Sequence, residues 1–256
     1  MFGIKLFRRD ALGNFVPLKR MLFLLFGLIA NYRFKVLNNT RIEGADFVRS
    51  LPKKNVLFVS NHQTYFADVT LMLLAFFSIK NGAKDRLGSL WSLMNPNVRI
   101  YFVAAMETMK SGILPKALAK AGGILVKRTW REKGKDIQRE VDLNDTDNIG
   151  KALNDGWVIT FPQGTTKPYA PGRKGTAHII KQYQPIVVPI VINGFRRAFD
   201  KKGMLIKKKG VKISMRIKAP LLINYNDSAQ DILEQVMDAI EQSERFYPPN
   251  RKDPAE

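Results

Sequence analysis

Five short apolar runs constrain what this chain can fold into. They lie at residues 56–60, 99–104, 124–127, 157–161 and 186–192, and each reads as a buried strand. Segments with helical period separate them, which is the signature of an α/β layout. Leu114, Leu118 and Ala121 recur at helical spacing, and Gly122-Gly123 closes that helix. Ile149, Ala152 and Leu153 mark another, with capping side chains in Asp145-Thr146-Asp147-Asn148 before it and Gly156 after it. Val211, Ile213, Met215 and Ile217 then alternate with polar residues, as on a half-exposed strand. Asp227-Ser228 opens a final helix carrying Ile232, Leu233, Val236, Met237 and Ile240. The polar stretch 129–148 reads as a long loop or insertion, and 247–256 as a loose tail.

The chain has 256 residues, enough to bury a core without staples, and its length points to one domain. It contains no cysteine, which excludes disulfides, thiolate nucleophiles, thiolate zinc sites and iron–sulfur clusters. That fits a reducing compartment. Against 22 acidic residues stand 42 Lys and Arg, a net charge of +20, which favours acidic partners. Charge alone would suit nucleic acid. The chain has no Cys/His finger, no aromatic ribonucleoprotein motif and no Gly-rich clamp, so no nucleic-acid partner is expected.

No secretory signal is expected at the start. Residues 21–30 are apolar but bounded by Lys19-Arg20 and by Arg33 and Lys35. They fall short of the ~20 residues that span a bilayer, as does a second apolar run at 69–79. Residues 1–40 therefore read as a membrane-interface segment, with an apolar body, basic flanks and Tyr32 and Phe34 at the boundary. A helix buried in the domain is the competing explanation. The expected division is this segment, a domain over 41–246 and the tail.

Only two histidines occur, and one sits in Asn61-His62-Gln63-Thr64-Tyr65-Phe66-Ala67-Asp68, directly after the first buried run. In α/β sheets, sites lie beyond the carboxyl ends of the strands. On a regular helix residues six apart lie about 120° apart and do not meet. With His62 in a loop and Asp68 in the first turns of the helix carrying Val69 to Phe77, the ring can fold back over the carboxylate. Asp68 would then hold Nδ1 and leave Nε2 as a general base. With no cysteine and no Gly-x-Ser-x-Gly elbow, such a base would act on an acceptor hydroxyl. By spacing alone, a histidine that only pins the loop explains the pattern too. Phe161-Pro162-Gln163-Gly164-Thr165-Thr166-Lys167 follows another buried run, and Pro162 and Gly164 force a turn there. Its backbone N–H groups can hold an anion, and Lys167, Arg173 and Lys174 make the region cationic.

Taken together, these blocks resemble the glycerolipid acyltransferase family, the lysophosphatidate (1-acyl-sn-glycerol-3-phosphate) acyltransferases. The 61–68 stretch is similar to the family's His-plus-Asp signature. Gly123-Ile124-Leu125-Val126-Lys127-Arg128 resembles its second motif, Phe161 to Thr166 its third, and Val188-Pro189-Ile190-Val191-Ile192 its fourth. The resemblance implies a central, mostly parallel sheet flanked by helices. It implies acyl transfer from acyl-CoA or acyl carrier protein as co-substrate, with no metal and no bound cofactor. His62 would be the base and Asp68 its orienting partner. Arg128 would bind the acceptor's anionic head group. Lys127, Gln163, Gly164, Thr165, Thr166, Arg173 and Lys174 would shape the same pocket. The family's membrane habit implies peripheral or monotopic attachment at the cytoplasmic face, with membrane lipids as partners.

Two positions depart from the family pattern. Five residues separate His62 from Asp68 where four are usual. Gln163 and Thr166 stand where the third motif usually has Glu and Arg. Thr lacks the bidentate fork that Arg gives a phosphate. An acceptor without a phosphate, a lysoaminolipid, therefore stays open beside lysophosphatidate, as does an inactive membrane-surface binder. The remaining singled-out residues read as structural. His178 packs or caps a helix, Trp91, Trp130 and Trp157 belong to core or interface, and 207–209 forms a hairpin tip.

Overall fold

The apolar runs become the parallel centre of a seven-stranded sheet. The computed structural model describes residues 9–89, 98–109, 113–127, 131–132, 135–136 and 143–248. Along the chain come α1 (Val16–Lys35), β1 (Asn39–Glu43), β2 (Val56–Ser60), α2 (Ala67–Lys80), β3 (Ile100–Ala105) and α3 (Ile113–Lys120). They are followed by β4 (Gly123–Val126), a small ribbon of β5 (Arg131–Glu132) and β6 (Lys135–Asp136), α4 (Leu143–Asp155), β7 (Trp157–Thr160) and α5 (Lys174–Tyr183). The chain continues with β8 (Ile186–Asn193), β9 (Lys212–Ile217) and α6 (Ala229–Ala239). The sheet order is β1-β9-β8-β2-β7-β3-β4. The neighbours from β8 to β4 pair in parallel. β9 runs antiparallel to β8, and β1 follows β9 in parallel.

Each central strand feeds both faces, which is why the runs are apolar without alternation. On β2, Val56 and Phe58 face one core, with α1 and α2. Leu57 and Val59 face the other, with α4, α5 and α6. Trp157 is fully buried, packs edge-on against Phe58 and Phe76, and its indole N–H donates to Pro52 O at 2.7 Å. α2 is buried almost all round, the mark of an internal helix. Its second covering is α1, whose Phe23 meets Phe77 at 5.5 Å between ring centroids.

α1 packs against the domain along one side only. Leu22, Gly27, Ala30 and Phe34 are buried against the domain, while Met21, Leu25, Leu28, Ile29, Tyr32 and Val36 remain exposed. Lys19 does not serve as a solvated flank. Its ammonium is buried, 3.2 Å from the Asp10 carboxylate and 4.1 Å from the Tyr101 ring centroid. Burial lowers its pKa, and Asp10 opposes the shift.

The stretch 129–148 is no single loop. β5 pairs with β6, and α4 starts at Leu143, so 145–148 lie inside its first turns and do not precede it. Ser228 caps α6 by accepting from Asp231 N at 3.1 Å. Trp91, Trp130, Arg128, most of the tail and the side chains of Leu114 and Leu118 lie outside the described residues.

Candidate active site

β2 ends at Ser60, and the next six residues form a loop held by hydrogen bonds to the end of β8, to Asp68 and to residues 201–202. Asn61 reaches across to the end of β8, donating to Ile192 O at 2.9 Å and accepting from Ile192 N at 2.8 Å. Gln63 does the same one step on. Its amide donates to Ile192 O at 3.1 Å and accepts from Phe195 N at 3.0 Å. Between these two clamps His62 projects outward. Its ring stacks on Phe161, 3.9 Å between centroids.

Asp68, in the first turn of α2, has a fully buried side chain. Its carboxylate accepts from Gln63 N at 2.5 Å, from Thr64 N at 3.0 and 3.1 Å, and from the Thr64 hydroxyl at 2.6 Å. The helix N-terminus favours the negative charge further. His62 Nδ1 lies 2.9 Å from Asp68 Oδ2. With every other neighbour of the carboxylate donating to it, Nδ1 carries the proton and donates as well. Nε2 meets no protein partner among the described residues. Phe66, directly before the helix, takes φ −123° and ψ −36°. The loop's backbone is anchored from outside, with Tyr65 N donating to Lys201 O and Phe66 N to Lys202 O. Gly203 makes that approach possible, since a Cβ there would stand 2.6 Å from Ala67 N.

The second element of the site is the turn after β7. Gly164 N donates to Phe161 O at 2.9 Å with φ 61° at Gly164, and Arg173 N donates to Pro162 O. The backbone N–H groups of Thr165 and Thr166 have no protein acceptor among the described residues. Both residues line a cleft of about 1200 Å³ that opens at the carboxyl ends of the parallel strands. His62 lines it together with apolar residues, including Val69, Phe102, Val103 and Val126, and with cationic ones, including Lys127, Lys167, Arg173 and Lys174. Among the described residues no group of three or more His, Asp or Glu side chains is placed to hold a metal.

The structure brings most of the sequence-selected residues into this cleft: His62, Lys127, Gly164, Thr165, Thr166, Arg173 and Lys174 line it, and Asp68 stands behind His62. Lys127 N donates to the Asp145 carboxylate at 2.8 Å. Gln163 is a correction. It is 1% exposed, does not line the cleft, and donates to Ala170 O at 2.9 Å and to Gln242 Oε1 at 3.2 Å. Gln242 also accepts from Tyr169 N at 2.8 Å, so Gln163 ties the turn to the segment after α6. Gln163→Ala is expected to lower stability by about 1–3 kcal/mol, the cost of unmet buried groups, and to leave the acceptor Michaelis constant unchanged. Thermal melts and initial rates check this; a raised constant with an unchanged melt would return Gln163 to the pocket.

Several site residues escaped the sequence reading. Arg196, Lys201 and Lys207 all line the cleft, while Lys207, Lys208 and Lys209 are exposed as expected. His178 is exposed at the cleft rim and is not packed within the domain. Asn61 and Gln63 are the clamps of the histidine loop. The signal for Asn61 was its turn chemistry; nothing local marked the others.

The fold and the ordered blocks have counterparts. A protein-family model described as Acyltransferase matches residues 39–193. The chain is similar to the crystal structure of the 1-acyl-sn-glycerophosphate (LPA) acyltransferase PlsC from Thermotoga maritima, with a TM-score of 0.52 and 17% identity, covering 87% of this chain and 78% of that one. No match is found among curated protein sequences. The family model takes in β1 through β8, the histidine loop and the turn after β7, and on that extent the chain belongs to the acyltransferase family.

Proposed function

We propose that the chain moves a fatty acyl group from acyl-CoA or acyl carrier protein to the free hydroxyl of 1-acyl-sn-glycerol 3-phosphate, making phosphatidate. The observation that carries this is the His62–Asp68 pair at a cleft lined by both apolar and cationic side chains. Nε2 of His62 takes the hydroxyl proton as that oxygen attacks the thioester carbonyl. The tetrahedral oxyanion collapses, the carbon–sulfur bond breaks, and the imidazolium returns the proton to the thiolate. Asp68 stabilises the imidazolium and holds the ring, which also rests on Phe161. The unengaged N–H groups of Thr165 and Thr166 suit a developing oxyanion or an anionic head group. Identification of the lipid product from labelled thioester tests the proposal.

A lysoaminolipid acceptor is the second reading, favoured by Thr166 in place of the usual arginine. The same chemistry applies, and only the head-group contacts differ.

The lipid substrate is proposed to be met at an anionic membrane surface. No described helix is long and apolar enough to cross a membrane. The exposed stripe of α1, from Met21 to Val36, has basic Arg20 and Lys35 exposed at its ends. Replacing Leu25 and Ile29 together by Ser is expected to weaken sedimentation with phosphatidylglycerol vesicles by at least about tenfold. Equal binding of variant and wild type would remove this face from the interface.

A further inference from the structure

The third-motif position that usually carries arginine is Thr166, yet a guanidinium stands beside it. β8 leaves the sheet at Asn193, and Gly194 turns the chain with φ 90°, where a Cβ would stand 2.3 Å from Lys212 O. The turn drives Phe195 inward, fully buried against Phe34 and Phe199. Ala198 is buried as well. That leaves Arg196 pointing into the cleft. Its Nη2 donates to Thr166 O and, at 3.2 Å, to His62 O. One arginine from outside the family-matched region thus joins the histidine loop to the third-motif turn.

Arginine has five N–H donors, and Nη2 supplies only two of them. Nε and Nη1 meet no protein acceptor among the described residues. Half-burial strengthens what they would bind, because a planar fork in a low-dielectric wall makes strong charge-assisted hydrogen bonds. Lys207 donates from Nζ to Arg196 O at 3.2 Å and lines the same wall.

We infer that Arg196, supported by Lys207, holds a phosphate monoester in the cleft and supplies the recognition that Thr166 lacks. The inference rests on the acyl-transfer reading for its biological substrate. Two sources carry that group: the head of a lysophosphatidate and the 3′-phosphate of a coenzyme A donor. Arg196 is a specificity residue here; a residue that only staples two loops would not discriminate ligands.

The test is calorimetric binding of glycerol 3-phosphate, coenzyme A and dephospho-coenzyme A to the purified full chain. Wild type is compared with Arg196→Gln, Arg196→Lys and Lys207→Gln. Gln keeps donors for the two carbonyls and removes the charge. Wild type is expected to bind at least one phosphate monoester, Arg196→Gln to weaken it by about tenfold or more, and Arg196→Lys to recover part. Loss confined to glycerol 3-phosphate assigns the acceptor head. Loss for coenzyme A, with dephospho-coenzyme A unaffected, assigns the donor. Should Arg196→Gln not fold, Lys207→Gln reads the same wall by a smaller loss of the same ligand. Equal affinity of folded variants and wild type, or a wild type that binds no phosphate monoester, overturns the inference. A wild type that binds phosphate through Arg196 yet transfers no acyl group refutes the acyl-transfer proposal and leaves this one standing.

Discussion

His62→Ala is expected to lower the turnover number by about 10³–10⁴, with folding and vesicle binding unchanged. The acceptor hydroxyl is a poor nucleophile until its proton is removed, and His62, with Nδ1 against Asp68, is the group proposed to remove it. His62 is fixed on three sides: by Asp68 at Nδ1, by Phe161 against its face, and by the amide clamps of Asn61 and Gln63 on either side of it in the chain. Alanine removes the base without disturbing those clamps, since they use the neighbouring side chains. Single-turnover rates with labelled acyl thioester, beside thermal melts, separate chemistry from stability. A variant that turns over within a few-fold of wild type would show that another group takes the proton.

Asp68→Asn is expected to act on two quantities at once. An amide cannot hold Nδ1–H as a carboxylate does, so the ring loses its tautomer and the imidazolium its counter-charge; the expected loss of turnover is about 10⁴-fold. The site is also fully buried, and the carboxylate collects the Gln63 N–H, the Thr64 N–H and the Thr64 hydroxyl. An NH₂ group would face these donors with a donor, costing about 1–3 kcal/mol of stability. Asp68→Asn should therefore melt lower than His62→Ala while the acceptor Michaelis constant changes little. A silent substitution would mean that the five-residue spacing leaves another group to orient the ring.

The parallel centre of the sheet was legible because strands buried on both faces are apolar without interruption, as at Val56–Ser60. The edge strand β1 was not legible: in Asn39–Glu43 only Ile42 is fully buried. The start of α4 was misplaced because Asp and Asn read as caps, whereas the helix already begins at Leu143. At the site, the position of His62 and Asp68 in strand, loop and helix followed from pattern. The side-chain direction did not. Gln163 shares its motif with Gly164 and Thr165, yet the turn points it inward to Ala170 and Gln242. Arg196 is aimed by the burial of Phe195 and Ala198, a consequence of packing against α1 that no local motif announces.

The most direct measurement is the specificity constant of purified wild type for lysophosphatidate and for a lysoaminolipid. Each acceptor is offered with labelled acyl-CoA and with labelled acyl carrier protein, with His62→Ala as the blank. Labelled phosphatidate is expected, formed with at least one donor and absent from the blank. Label appearing only in the aminolipid, or in no lipid while the protein is folded, would contradict the proposal.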